Sequence, residues 1–330
     1  MIYVFCSLFK NNFRFIPWYS FLIVIGAAIA IFLASREENR TSLPKDTVLD
    51  FSLIVLPCGI IGDRIYYVIF SWDLFRNDFL SVFKIWEGGI AIYGAVIAGL
   101  LTAVIFCKKR KISFLTLCDL IAPGLILAQA IGRWGNYFNQ EAYGLPVSNP
   151  QLCFFPFAVQ ISDADSLHWH MATFFYESLW NMLVFVFLII ARRKWFRYKG
   201  DIILFYAFLY ACGRLIVEDF RMDSLYASSS VCVSQLLSVV ICIFVLLYYL
   251  HSFRNSKVFN PLPKWILAGI TLSVNCFLVI WLTGLIHFDG LTVFHRFLVL
   301  ASASVVNIVS LLILYGKCAE GDILYADNKN

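Results

Sequence analysis

One short run of a very apolar chain, Gly132–Gly144, places an arginine, two asparagines, a glutamate and three glycines together. It holds Arg133, Asn136 and Glu141 and begins where a long apolar segment ends. Ionisable residues at membrane depth are energetically costly, so they usually serve a charged ligand or partner. The planar guanidinium of arginine matches phosphate in shape and charge. The run therefore predicts a site at a membrane boundary that binds an anion.

A second set of polar residues, Tyr210, Arg214 and Glu218, recurs every four residues inside another apolar segment. This spacing makes one stripe along a helix, which we expect to face other helices, since lipid offers no polar partners. An internal Arg214–Glu218 ion pair would explain this helix alone. It does not explain why Arg64, Arg133 and Arg214 are expected near one depth, where like charges require an anion between them.

The phosphate that is abundant at that depth belongs to phospholipid headgroups. Arginines from several helices that meet at the outer leaflet therefore predict a lipid-handling site, with the lipid phosphate held between guanidinium groups. The apolar segment that follows Gly89 carries Gly94 and Gly99, small residues that suit either a lipid chain or close helix packing.

Transmembrane helices must position these residues. The chain has 330 residues, of which 61% are hydrophobic and 14% charged, whereas soluble domains carry about 25% charged residues. Nine segments have the length and apolar character of a span, for which roughly 20 residues are needed. They are residues 15–35, 47–72, 88–107, 114–133, 173–191, 201–221, 224–250, 265–286 and 297–316. We predict an all-α polytopic membrane bundle of about nine transmembrane helices.

The placement of Lys and Arg predicts the orientation. Seventeen of them fall in loops on one predicted side and at the C-terminal end, against seven on the other side. Cytoplasmic loops carry the excess, so we expect the N-terminus outside and the C-terminus inside. This distribution and anionic inner-leaflet lipid account for the basic loops, so no nucleic acid is expected as a partner.

Residues 134–172 are too long for a simple link and too polar for a span. We predict that they form a small extracytoplasmic cap. We further divide the chain into a seven-helix domain, 1–260, and two additional transmembrane helices of unknown role within 261–330.

Several motifs of the chain resemble those of the prolipoprotein diacylglyceryl transferase family between about residues 17 and 250. They are Pro17-Trp18-Tyr19, Gly62-Asp63-Arg64-Ile65-Tyr66-Tyr67, Trp86-Glu87-Gly88-Gly89, Tyr93-Gly94, the run Gly132–Gly144, Tyr176-Glu177-Ser178, and Tyr210 through Arg221 with Asp223-Ser224-Leu225. The long run Gly132–Gly144 is the most specific of these motifs.

The resemblance implies a bacterial cell-membrane enzyme that starts lipoprotein maturation. Its members transfer the sn-1,2-diacylglyceryl group of phosphatidylglycerol to the lipobox cysteine thiol of a prolipoprotein and release glycerol phosphate. By resemblance, Arg133 and Arg214 handle the headgroup phosphate, and Arg64 is a further candidate for binding it. The other positions that match residues on which the family depends are Tyr19, Asn136, Glu141, Gly144, Tyr210 and Glu218.

The general base stays open at this stage. Many family members have a histidine where this chain has Tyr93, and a phenol is a poor base near neutral pH. The candidates are therefore Tyr93, Glu141, His168 and His170. No cofactor and no metal is expected.

Alternative functions remain open. One is a family member with altered or lost activity, given Tyr93 and the extra helices. Another is a transporter for an anionic lipid or solute, which would place charges at the bilayer midplane and show inverted repeats. A non-catalytic membrane scaffold would use the charges as internal ion pairs.

Overall fold

A computed structural model describes residues 18–327 except 77, 85–87, 90, 164–165, 225–231, 255–260 and 283–291. Within this part of the chain there are nine long helices. They are α1 Trp18–Glu38, α2 Thr47–Phe70, α3 Ile92–Arg110, α4 Phe114–Asn139, α5 Thr173–Lys194, α6 Asp201–Val217, α7 Val233–Arg254, α8 Pro261–Leu282 and α9 Val293–Asp327. Of the motif residues, Pro17, Trp86, Glu87 and Leu225 lie outside the described part.

Seven of these helices are long and apolar enough to cross a membrane, which confirms the all-α polytopic class. The predicted count of nine spans is not confirmed. Helix α6 has 17 residues, a length of roughly 25 Å, and the polar stripe at its end continues as a 3-10 turn, Glu218–Phe220. Helix α8 is not among the seven, and a shorter apolar stretch, Gly269–Leu282, lies within it.

The described chain forms two compact units, one of which is Ala27–Gly124 and the other the remainder. In the first unit, α2 and α3 touch through their backbones at Gly62 and Gly94. A Cβ on Gly62 would lie 2.3 Å from the Cβ of Ala98, and a Cβ on Gly94 would lie 2.4 Å from the Gly62 carbonyl oxygen. The glycines are therefore explained by close helix packing.

In the second unit, α8 and α9 pack against α6 and α7. One apolar cluster joins the four helices, and its buried members are Leu215, Val239, Leu278, Leu282, Leu300 and Ala303. The division of the chain at residue 260 stays a prediction. The structure shows that α9 packs against α6, the helix that carries Arg214, and that α8 packs against α7 and α9.

Helix α4 does not end near Arg133, as the sequence analysis expected, but continues to Asn139. The added residues present a buried aromatic face. The rings of Trp134 and Tyr137 pack on Phe174 of α5, with centroids 5.5 and 5.3 Å away. This packing stabilises the helical form of residues that are too polar for a span, so the cap begins later than predicted.

The cap contains an antiparallel β-hairpin, which the sequence analysis did not predict. Strand β1 is Ala158–Asp163 and strand β2 is Ser166–Met171, paired from Ala158 with Met171 to Asp163 with Ser166. Val159 and Ile161 turn one face of the hairpin toward the aromatic cluster at the ends of α4 and α5. We call this end of the second unit the cap end.

Candidate active site

Two arginines from different helices meet on one carboxylate at the cap end. Arg133 of α4 places Nη2 2.6 Å from Oε1 of Glu177, and Arg214 of α6 donates from Nη1 to Oε2 of the same residue at 3.0 Å. The Glu177 side chain is 4% exposed, whereas the arginines are 20% and 15% exposed. Glu177 therefore contacts both guanidinium groups from the buried side, and both arginine side chains stay partly exposed.

Arg214 makes a second ion pair with Glu218, at 2.6 Å between Nη2 and Oε2. The two groups form an ion pair but are not aligned for a hydrogen bond. The hydroxyl of Tyr210 lies 3.5 Å from Oε1 of Glu177. The two guanidinium groups and the two carboxylates thus balance one another in charge. The sequence analysis expected an anion between the arginines, and Glu177 occupies that position.

Helix α5 is fixed to α4 next to this cluster. Ser178 donates from its hydroxyl to the Ala130 carbonyl oxygen at 2.8 Å and receives a hydrogen bond from Nε1 of Trp134 at 3.1 Å. Because Ser178 follows Glu177 and Trp134 follows Arg133, these bonds set the register in which the arginine and the carboxylate meet.

Helix α6 is fixed to α5 by a tryptophan. Trp180 donates from Nε1 to the Leu209 carbonyl oxygen at 2.8 Å, and its ring lies against Gly213. A Cβ at Gly213 would lie 2.2 Å from that ring. Glycine therefore lets the two helices approach closely, which brings Arg214 to Glu177.

The remaining predicted residues of the Gly132–Gly144 run support the end of α4. The ring of Tyr19 lies on Gly135, where a Cβ would be 2.5 Å from the ring. The Asn136 carbonyl oxygen accepts from the Glu141 backbone N–H at 3.0 Å. The Glu141 side chain is exposed, and one of its oxygens accepts from Asn139 at 3.3 Å.

Gly144 is a buried junction rather than a side-chain site. Its N–H donates to the Met171 carbonyl oxygen at 2.9 Å, and it forms a β-bridge with Arg221. Its own carbonyl oxygen lies 2.9 Å from Nδ1 of His170, whose ring packs on Tyr143 with centroids 4.7 Å apart. His168 lies on the same strand, is exposed, and pairs with Ile161.

Arg64, in the Ala27–Gly124 unit, directs all five of its N–H groups to backbone carbonyl oxygens. The acceptors are those of Ser81, Val82, Lys84, Gly88 and Gly89, at 2.6 to 3.3 Å. The residue is 7% exposed. In this structure it therefore organises the loop that precedes α3, and its role in phosphate binding stays a prediction.

Tyr93 lies near the start of α3 in the same unit, with its ring centroid 6.4 Å from that of Tyr66. Asp63, the neighbour of Arg64, accepts a hydrogen bond from the Ala91 backbone N–H. The start of α3 is thus held by α2, and Tyr93 belongs to that junction.

Glu177 is the residue that sequence reasoning left without a role. It appeared there only within the motif Tyr176-Glu177-Ser178 of the family resemblance. Its position between two guanidinium groups depends on how three helices pack, which neither spacing nor periodicity reveals.

Comparison with known proteins now identifies the family. Residues 7–251 match the family described as prolipoprotein diacylglyceryl transferase. The chain belongs to this family. Two relatives named phosphatidylglycerol–prolipoprotein diacylglyceryl transferase illustrate the similarity. One, from Oceanobacillus iheyensis, is 44% identical over 242 residues, or 72% of this chain and 84% of the relative. The other, from Streptococcus equi subsp. equi, is 40% identical over 73% of this chain and 92% of the relative.

A third relative with that name, from Halalkalibacterium halodurans, is 43% identical over 245 residues, 73% of this chain. The predicted family and the prediction of a transferase are therefore confirmed. The family match ends at residue 251, so α8 and α9 lie beyond it.

Proposed function

We propose that this prolipoprotein diacylglyceryl transferase moves the sn-1,2-diacylglyceryl group of phosphatidylglycerol to the lipobox cysteine of a prolipoprotein, the first step of lipoprotein maturation. The observation that carries the proposal is the pair of guanidinium groups on separate helices, oriented by one buried carboxylate and each partly accessible. The names of the relatives supply the substrate class.

In this proposal Arg133 and Arg214 bind the lipid phosphate with their accessible N–H groups. Glu177 orients both guanidinium groups, and Glu218 orients Arg214 from its other side. Charge that is already in place where a leaving group becomes more negative is usually the largest contribution to catalysis. The arginines therefore stabilise the phosphate as it leaves, and the glutamates keep them from reorganising.

The reaction forms a thioether. The cysteine thiol gives up its proton, its sulfur attacks the terminal glyceryl carbon that carries the phosphate, and the carbon–oxygen bond breaks. The electron pair of that bond leaves with glycerol phosphate. A free thiol is a few per cent ionised near pH 7 and strongly nucleophilic, so modest assistance from a base is sufficient.

Among the candidate bases, we propose His170, whose ring is held by the Gly144 carbonyl oxygen. A carbonyl oxygen can only accept a hydrogen bond, so the 2.9 Å contact with Gly144 assigns the ring proton to Nδ1. The Nε2 lone pair of the neutral ring is then free to take a proton. Glu141, on the exposed turn after α4, is proposed to contact the peptide or the glycerol hydroxyls together with Asn136.

We place the cap end at the outer face of the bacterial cytoplasmic membrane, with the N-terminus outside and the C-terminus inside. The distribution of Lys and Arg between the loops supports this orientation. The phosphate of an outer-leaflet lipid would then lie level with the arginines, and a prolipoprotein signal peptide would present its lipobox cysteine from the same side.

The test measures transfer of labelled diacylglyceryl from phosphatidylglycerol to a lipobox peptide in membranes that contain Arg133→Ala or Arg214→Ala. Loss of the phosphate-binding charge is expected to lower kcat/KM by about 100-fold or more. Arg110→Ala is the matched control, because Arg110 is a half-exposed arginine paired with Asp50 in the other unit.

The proposal requires the wild-type and Arg110→Ala proteins to transfer the label at similar rates. Wild-type transfer by either variant of the cluster would refute the phosphate-binding assignment. Absence of transfer by the wild-type protein, with folded protein in the membrane, would refute the proposed activity and favour a family member that has lost it.

A further inference from the structure

Of the two helices beyond the family match, α9 contacts α6, which carries Arg214, and α8 packs against α9 and α7. Arg296, near the start of α9, pairs with Asp219 just after α6. Farther along α9, Ser304 donates to the Cys212 carbonyl oxygen at 3.5 Å and Tyr315 donates to the Asp201 carboxylate at 2.9 Å. Residue numbers rise along α9 while those of the partners fall, so α9 lies antiparallel along the length of α6.

The added helices are themselves held in one register. Asn275 of α8 and Asn307 of α9 exchange side-chain amide hydrogen bonds, at 2.8 and 3.2 Å. They are 1% and 0% exposed. A buried polar pair between apolar helices disfavours sliding, because any shift would leave amide groups without partners. The pair therefore fixes the height at which α9 meets α6.

The contact at the cap end lies next to the proposed catalytic cluster. The side chain of Asp219 is 2% exposed, and it pairs with Arg296, which is 44% exposed. The rings of Phe297 and Phe220 add an apolar contact, with centroids 5.7 Å apart. Gln235 of α7 also donates to Asp219.

Asp219 lies in the 3-10 turn Glu218–Phe220, directly after the glutamate that contacts Arg214. The Phe220 carbonyl oxygen at the end of this turn accepts from the Leu145 N–H at 2.9 Å. Movement of Asp219 would therefore move Glu218 on one side and the cap on the other.

We propose that α8 and α9 form a positioning element for the catalytic cluster, and that Arg296 is its positioning residue. By pairing with Asp219, Arg296 holds the Glu218–Phe220 turn and so keeps Glu218 on Arg214. The proposal rests on the proposed function. The proposal assigns a positioning role to a part of the chain that the family match does not include.

The test is a double-mutant cycle in the full-length protein with Arg296→Gln, Asp219→Asn and the double variant, together with Arg296→Lys. Each is assayed for kcat and for KM with phosphatidylglycerol, and for thermal unfolding in detergent. His295→Gln is the matched control, since His295 is a neighbouring exposed residue whose side chain contacts Thr292.

We expect Arg296→Gln and Asp219→Asn each to lower kcat by about three- to tenfold, with little change in KM, because misalignment acts mainly on the transition state. The double variant should lose no more than one single variant, and Arg296→Lys should restore most of the rate. Unchanged kcat in both single variants would overturn the proposal.

A loss of rate that disappears when the variants are assayed well below their unfolding temperature would also overturn it, because the contact would then serve stability alone. These outcomes presuppose transfer by the wild-type protein. An inactive wild-type protein would instead count against the proposed function, as described above.

Discussion

Glu177 and Arg133 meet at 2.6 Å between α5 and α4, and the carboxylate is far less exposed than the guanidinium. The glutamate also binds Arg214, so a single side chain joins the three helices of the proposed site. We propose that a substrate phosphate binds the exposed part of the arginines and leaves this carboxylate in place. Glu177 is therefore the residue whose removal is expected to damage the site most broadly.

We expect Glu177→Gln to lower kcat/KM by about 100-fold, because two arginines lose their common counter-ion and their orientation. Stability should fall by about 1–3 kcal/mol, less than for a fully buried ion pair, since the arginines are partly exposed. Transfer kinetics and thermal unfolding measure the two effects. Asp73→Asn, at an exposed pair with Arg76, is the control. Wild-type kinetics of Glu177→Gln would contradict the assigned role.

Arg214→Lys should be more harmful than Arg133→Lys. Arg214 uses separate nitrogens for Glu177 and Glu218, and one ammonium group cannot reproduce this fork. For Arg133 the described ion pair is with Glu177 alone. We expect at least about a tenfold larger loss of kcat/KM for Arg214→Lys than for Arg133→Lys. Equal losses would show that the two arginines are used alike.

Arg64→Lys distinguishes an organising role from phosphate binding. A lysine has three donors for the five carbonyl oxygens that Arg64 satisfies, and each buried acceptor left unpaired costs about 1–3 kcal/mol. We therefore expect a marked fall in unfolding temperature and faster hydrogen exchange in residues 78–84, with KM for phosphatidylglycerol little changed. A raised KM with unchanged stability would instead support phosphate binding.

His170→Gln tests the proposed base. If Nε2 of His170 accepts the thiol proton, the variant should lose about 100-fold or more in kcat. His168→Gln, on the same strand and exposed, is the control and should keep the wild-type kcat. A wild-type kcat in His170→Gln would exclude His170 as the base.

Tyr315→Phe tests the contact of α9 at the far end of α6. Asp201 is 2% exposed and accepts from the hydroxyls of Tyr249 and Tyr315, both at 2.9 Å. Removing one hydroxyl should destabilise the protein by about 1–3 kcal/mol, because the acceptor is buried and loses a hydrogen bond. Transfer kinetics below the unfolding temperature should stay near wild type. Tyr198→Phe is the control, at a more exposed tyrosine in the loop between α5 and α6.

Hydropathy and periodicity predicted every long helix of the described chain, because apolar segments of that length leave few alternatives. The departures came from packing. Trp134 and Tyr137 extend α4 because their rings pack on α5. The hairpin forms in a polar loop where the alternation of apolar and polar residues covers only a few positions. At the site, spacing on α6 identified the Arg214–Glu218 pair. The place of Glu177 between two arginines required the register that Ser178 and Trp180 establish.

The balanced charges of the cluster have a consequence for turnover. A phosphodiester brings one negative charge to the site, whereas the phosphomonoester that leaves carries about 1.5 to 2 at neutral pH. Arg133 and Arg214 attract the second of these more strongly than the first, and Glu177 and Glu218 offset part of that extra attraction. Two arginines without carboxylate partners would retain glycerol phosphate more tightly, so the paired cluster lets the charged product leave more readily than a bare arginine pair would.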